Sequence, residues 1–274
     1  METTVLYLAR DPVFEKERAF DTDYLAEDVG DIRKTNHVFD RQPVVVHNIE
    51  DPTHWDIDTH GFCLLKATTR LDPDAAFNNK EEVQKSYWYD LEALLHERFP
   101  EYTRIESFDC TIRQRDPSFP KSTTMYVNYE QPATIPHCDY SQQGCYDAIE
   151  TAFPGQDAFW RDKEFDVINV WRPLRGPNDD WPLIMCDWTS VDSENDILLN
   201  DGLRRSGVVT NSLLHMNSAH RWYFMKSQGI DDLVVFRNAD TTGKRARCFH
   251  CSAFNPDATT LPRQSVEVRL VAFR

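Results

Sequence analysis

Short β-rich runs, closed off by Pro, Asp or Asn, recur along almost the whole chain, and that rhythm limits the fold more than any other property of the sequence. They occupy residues 4–8, 43–47, 61–65, 105–113, 124–129, 165–171, 182–186, 207–210, 220–225, 232–236 and 265–273. Most are rich in Val, Ile, Phe, Tyr and Trp, side chains that suit a pleated surface. Helical signal is confined to two places. In 79–98, Val83, Tyr87, Tyr89, Leu91, Leu94 and Leu95 recur near helical spacing with Glu and Lys opposite, and 144–160 reads as a helix running into a loop. Many short strands and few helices predict a mainly β fold, two sheets packed as a jelly roll with flanking helices. No internal repeat, low-complexity tract or Gly/Ser-rich linker divides the sequence, so residues 1–274 read as a single domain. Within it, residues of about 1–100 are expected to flank a core of about 101–274.

The charge balance narrows the partners. Thirty Lys and Arg against 45 Asp and Glu leave a net charge of −15, which argues against nucleic acid, whose phosphates call for a basic surface. The N-terminus lacks a basic segment followed by a long apolar run, and no stretch approaches the roughly 18 apolar residues of a membrane span. Seven Cys, an odd number without regular spacing, fit reduced thiols. A soluble cytoplasmic protein acting on a small molecule is the expectation, and a homo-oligomer is compatible with it.

One short motif carries chemistry. His137 and Asp139 lie two apart after a strand-like run, so an extended backbone presents both side chains on one face. Two His and one carboxylate on one side of a metal leave three positions open, the arrangement of non-haem Fe(II) oxygenases, where a 2-oxo acid and O₂ bind. Of the nine His, His250 is the expected distal ligand, because Arg263 and Ser265 follow it at the start of the last strand. Those two share a face, and the guanidinium fork matches a carboxylate such as the distal one of 2-oxoglutarate. Glu267 and Arg269 have the same parity, which opens internal pairing to either. His215 and His220 compete for the distal position, but neither precedes an Arg-x-Ser at a comparable distance. Cys248 and Cys251 form one C-x-x-C, where a thiolate zinc site usually takes two, and no βαβ context supports a redox role.

Several co-linear motifs resemble one family. They are His137-x-Asp139, the run 169–174 (Asn-Val-Trp-Arg-Pro-Leu), Pro182-Leu183 with Cys186-Asp187, and 220–223 (His-Arg-Trp-Tyr). His250 with Ala253-Phe254 and Pro262-Arg263-x-Ser265-x-Glu267-x-Arg269 complete the set. The chain is similar, from about residue 58 onward, to the fungal hydroxylase/desaturase family related to the cephamycin 7-alpha-methoxylase subunit and a gibberellin desaturase. That resemblance implies a double-stranded β-helix (jelly roll, cupin-like), dependence on Fe(II) and 2-oxoglutarate, and a place in secondary metabolism. It also implies His137, Asp139 and His250 as iron ligands and Arg263 as the co-substrate anchor.

Around this centre stand further candidates. Trp171 and Arg172 end a strong strand, where Arg172 would bind a substrate carboxylate or assist the co-substrate, or else pair with an acidic neighbour beside a core Trp. Asn169 shares parity with Trp171, and Tyr126 with Asn128; Tyr140 and Ser141 follow the His-x-Asp motif at its mouth. The expected function is a dioxygenase oxidising a small secondary metabolite with O₂, by hydroxylation, desaturation or oxidative cyclisation. Two alternatives are an iron oxidase of the same fold that needs no 2-oxoglutarate, against which Arg263 counts, and a catalytically silent β-barrel. The silent barrel would bury His, Asp and His without a metal to offset their desolvation.

Overall fold

The most apolar runs of the chain assemble into the smaller of two sheets. In the computed structural model, which describes residues 1–23, 33–69, 71–121, 129–205 and 207–274, this sheet has five antiparallel strands. Their order is β4 (Phe62–Lys66), β12 (Asp232–Asp240), β7 (Phe165–Pro173), β14 (Gln264–Phe273) and β5 (Arg104–Gln114). The central strand β7 is buried along its whole length, because both of its faces are covered. On one face Ile168 and Val170 join Val266, Val268 and Leu270 of β14 against Val83, Tyr87, Leu91 and Leu95 of the long helix α3 (Lys80–Arg98). Alternation turns Val167, Asn169 and Trp171 the other way, toward the second sheet.

That second sheet has nine strands. Their order is β1 (Glu2–Leu8), β3 (Phe39–Asn48), β11 (Trp222–Phe224), β8 (Leu183–Cys186), β13 (His250–Ser252), β6 (His137–Cys138), β10 (Gly207–Leu214), β9 (Ile197–Arg204) and β2 (Ala19–Thr22). Between the layers, Leu183 and Met185 of β8 pack on Trp171, Val234 and Phe236. At the other end helix α4 (Gln142–Ala152) places Cys145 and Ile149 against Phe165, Val167, Val271 and Phe273. Gly144 permits that approach: a Cβ there would stand 2.0 Å from the Thr210 carbonyl oxygen of β10. Shorter helices α1 (Ile57–His60), α2 (Pro73–Asn78) and α5 (Asp157–Trp160) fill the connections.

Two facing, mostly antiparallel sheets make a jelly roll, the mainly β fold expected from the strand rhythm. Strands from the first hundred residues take the edges: β1 and β2 end the larger sheet and β4 ends the smaller. Helices α1 and α2 lie outside the two helical stretches read from the sequence, and strands β9 and β2 were not foreseen either. Strand β9 falls in a stretch read as loop, since its Asn200-Asp201-Gly202 centre resembles a turn, yet it pairs with β10 along its length. Strand β2 is short and is held parallel to β9.

Candidate active site

Sheet register brings the two distant imidazoles together. His137 and His250 are direct partners across the antiparallel β6–β13 pair, so they point to one face with ring centroids 4.4 Å apart. Asp139, just past β6, sends Oδ1 to 3.3 Å from His137 Nε2 and 4.0 Å from His250 Nε2. Among the described residues, these three form the one group of His, Cys, Asp or Glu whose ligand atoms all lie close enough to hold an ion, within 4.8 Å of one another.

The surroundings orient every donor. His137 Nδ1 donates to the Ile135 carbonyl at 2.7 Å and His250 Nδ1 to the Cys248 carbonyl at 3.1 Å, which turns both Nε2 atoms toward Asp139. Asp139 Oδ2 accepts from Asn169 Nδ2 at 2.8 Å and Arg269 Nε at 2.7 Å, so Oδ1 is the free oxygen. Its backbone N–H donates to Asn238 Oδ1 at 2.8 Å. Burial opposes ionisation of Asp139, but Arg269 first, then His137 and His250, hold its carboxyl well below the usual carboxylate range. Burial, and next the neighbouring His137, push His250 down to about 3, so it stands neutral as a ligand must. Burial alone would lower His137 too, but its hydrogen bond to Asp139 and that carboxylate's charge raise it above the ordinary 6.5. Two neutralisable imidazoles and a monodentate carboxylate are a donor set that fits a divalent transition metal with open positions.

A second set of groups waits beside them. Arg263, just before β14, is 2% exposed; its Nη1 donates to the Trp181 carbonyl and to Ser252 Oγ, and its Cζ lies 5.5 Å from the Trp171 ring centroid. Among the described residues its Nε has no hydrogen-bond partner, and neither has the buried Oγ of Ser265. Burial, then the charge of Arg113, bring the guanidinium down to about 9, so it remains a cation at neutral pH without a carboxylate on its own fork. Orphaned buried donors of this kind cost free energy until an acceptor arrives. His137, His250, Trp171, Ser252 and Arg263 line one narrow cavity, and an oxo acid spanning metal and guanidinium would satisfy both ends of it.

Other sequence expectations fall elsewhere. Arg172 does not face this cavity: on the helix-facing side of β7, its Nε donates to Tyr87 Oη at 3.0 Å and its Nη1 to the Ile230 carbonyl at 2.8 Å. Strand alternation is the reason, since Asn169 and Trp171 point inward and Arg172 must point out. Arg269 is engaged by Asp139, Asp109, Thr111 and Glu267 and has no fork left for the co-substrate. His215 Nδ1 donates to the Leu8 carbonyl at 3.0 Å, and His220 is buried against Asp196 and Tyr7, so neither reaches His137. Tyr140 packs with α4, and Ser141 caps that helix by accepting from Gly144 N at 3.0 Å. Cys248 and Cys251 are buried free thiols. Tyr126 and Asn128, with most of the strand expected at 124–129, lie outside the described residues. Sequence reading missed Asn238 and Ser252 altogether; both lie on inward faces of strands, but neither carried a motif.

A family model described as an oxidoreductase/YMDC permease-like domain matches residues 7–273. The Fe(II)/2-oxoglutarate-dependent dioxygenase nvfI of Aspergillus novofumigatus is 26% identical over 239 residues, 80% of this chain and 78% of the relative. The hydroxylase/desaturase efuI of Hormonema carpetanum is 26% identical over 271 residues, 89% of this chain and 88% of the relative. A solved structure of the iron and alpha-ketoglutarate-dependent endoperoxidase NvfI superposes with a TM-score of 0.83 at 20% identity, covering 100% of this chain and 97% of the other. That likeness shows the fold.

Proposed function

The chain belongs to the oxidoreductase/YMDC permease-like domain family, and from that premise we propose that it is an Fe(II)- and 2-oxoglutarate-dependent dioxygenase of secondary metabolism. It oxidises a small organic molecule with O₂, by hydroxylation, desaturation or oxidative cyclisation. The observation that carries this reading is one cavity lined by His137, His250 and Arg263, with Asp139 grouped beside the two imidazoles and with Arg263 Nε and the buried Ser265 Oγ lacking a hydrogen-bond partner among the described residues. The relatives, named as enzymes of this class, support it.

His137 Nε2, Asp139 Oδ1 and His250 Nε2 hold the iron, and Arg263 with Ser265 holds the distal carboxylate of 2-oxoglutarate. Bound iron, with its oxo-acid co-substrate and O₂, supplies the oxidising power to remove hydrogen from an unactivated carbon. The protein supplies position. Asn169, Asn238 and Arg269 fix the Asp139 carboxylate and backbone, the Ile135 and Cys248 carbonyls fix the imidazole tautomers, and Trp171 walls the guanidinium from water.

Residues 1–274 act as one domain, a reading supported by β1 and β14, from opposite ends of the chain, both lying within the sheets. Within the family, the motif set favours kinship with the cephamycin 7-alpha-methoxylase subunit and gibberellin desaturase. The net charge of −15 weighs against nucleic-acid partners, and the buried free thiols support a cytoplasmic enzyme. No helix among the described residues is long and apolar enough to cross a membrane, and homo-oligomers are compatible with this reading.

Anaerobic Fe(II) plus 2-oxoglutarate should give a visible charge-transfer band, lost in His137→Ala and His250→Ala and kept in His215→Ala and His220→Ala. A band that survives His250→Ala, or that fails to form in the unaltered protein, sinks the assignment.

A further inference from the structure

A cavity of about 400 Å³ opens beside His137, between the 132–135 segment and strands β9 and β10. Ala133, Ile135 and Leu213 make its lining apolar, while His37, Asn200 and Asn211 make one end polar. Leu213 is the register partner of His137, so the cavity and that imidazole share one face of the sheet. Asn211 lies two residues further along the same face, about 7 Å along the strand.

The polar end has fixed hydrogen-bond directions. Asp21 Oδ2 is paired with Arg204 at 2.7 Å, and a carboxylate in that state only accepts. Asn200 must therefore turn Nδ2 toward Asp21 Oδ1, at 2.8 Å, and its other hydrogen goes to Asn211 Oδ1, also at 2.8 Å. Asn200 Oδ1 then accepts from His37 Nε2 at 2.7 Å. Asn200 is 1% exposed, which locks the arrangement. With its oxygen committed to Asn200, Asn211 keeps two N–H donors that make no hydrogen bond to another described residue. The Asp21 and Arg204 charges offset each other, so the polar end carries no uncompensated cation.

We propose that this cavity seats the organic substrate and that Asn211 selects a neutral oxygen acceptor on it, a ketone or ester carbonyl in an otherwise hydrocarbon body. The proposal rests on the iron reading of His137, which places the reacting carbon near that end of the cavity. A pure hydrocarbon would leave the Asn211 donors desolvated and unpaired, and a site built to hydrogen-bond an oxygen discriminates against analogues lacking it. A carboxylate meets an arginine already paired with Asp21.

Equilibrium dialysis of the protein with anaerobic Fe(II) and 2-oxoglutarate, and without them, tests this with three probes of one skeleton: 2-decalone, 2-methyldecalin and decalin-2-carboxylate. The ketone should be retained most strongly. Asn211→Leu should weaken its retention about fivefold, the effect of one neutral hydrogen bond, while leaving the other two nearly unchanged. Asn211→Asp keeps the acceptor that Asn200 needs but removes the donors, so it should lose 2-decalone and retain the alcohol 2-decalol. Circular dichroism and melting temperature check that each variant is folded. Equal retention of the three probes, or a ketone preference that survives both substitutions, overturns the proposal. A ketone preference that depends on Asn211 in a protein showing no iron–oxo-acid band would instead keep this site and remove the iron reading.

Discussion

Arg263, just before β14, and Arg269, within it, share the parity of its inward face, and they differ in what each still lacks. Arg269 is saturated: it donates to Asp139 at 2.7 Å, Asp109 at 2.6 Å, Thr111 at 3.0 Å and Glu267 at 3.0 Å. Arg263 contacts a carbonyl and a hydroxyl, and its Nε has no partner among the described residues. On the proposed function, the first is a positioning residue for the metal carboxylate and the second a binding residue for an anion. Replacing Arg263 by Ala should weaken 2-oxoglutarate binding about 10- to 100-fold, the range for losing charged hydrogen bonds of about 1.5–3 kcal/mol, read by titrating 2-oxoglutarate against the charge-transfer band. Arg172→Met is the contrast, since Arg172 lies under the helix: it should lower the melting temperature and leave that affinity alone. Arg269→Met leaves Asp139 and Glu267 facing each other without a cation, and burial together with Asp139 already raises the Glu267 pKa above the usual range. We expect Fe(II) affinity to fall about 10- to 100-fold, as it does when outer-shell partners of ligands are removed. Arg269→Lys should recover part of it, and an unchanged iron affinity in both variants would count against the role.

Strand register explains which residues were legible before the structure and which were not. Period-2 parity placed Arg263, Ser265, Glu267 and Arg269 on one side of their segment and Asn169 with Trp171 on one side of theirs, and the register joins the two sets on a single inward face, with Glu267 opposite Trp171 and Arg269 opposite Asn169. The same parity, carried one residue further, excludes Arg172. Pairing between distant strands is a different matter: that His137 meets His250, or that β9 with its Asn-Asp-Gly centre is a strand at all, depends on long-range hydrogen bonds that no local window contains. His220 illustrates the limit, because its pattern allowed a ligand while its environment makes it part of the packing between β1 and β11. There its Nε2 lies 3.1 Å from Asp196 and its ring stacks on Tyr7, whose hydroxyl accepts from Trp222 Nε1 at 2.7 Å. Burial outweighs the Asp196 carboxylate and lowers the His220 pKa below the ordinary 6.5. Below pH 6.5 the unfolded chain then binds a proton that the folded one resists, so this group's share of stability is present above 6.5 and is lost as pH falls. Melting curves over that interval should fall less steeply with acid in His220→Gln than in the unaltered protein; parallel slopes would show that His220 is not the group responsible.

Across the whole molecule, the site lies on the seam between the two sheets. His137, Asp139 and His250 come from β6, its end and β13 of the larger sheet, whereas Arg263 comes from just before β14 of the smaller sheet and Ser265 from its beginning. Asp139 already joins the layers through Asn169 and Arg269. An oxo acid held by metal at one end and guanidinium at the other adds a second tie across the same seam, and it binds only the folded chain, since the unfolded chain has no assembled site. Ligand present at about a hundred times its Kd should then stabilise the fold by about 2.7 kcal/mol, which for a domain of this size raises the melting temperature by roughly 5 °C. Under anaerobic conditions we expect Fe(II) alone to give one increment and 2-oxoglutarate a further one that requires Fe(II). Arg263→Ala should keep the metal increment and lose most of the second, because it removes the smaller sheet's grip while leaving the three metal ligands intact. Two increments of equal size in Arg263→Ala and the unaltered protein would mean that the oxo acid is held by the metal alone and does not bridge the sheets.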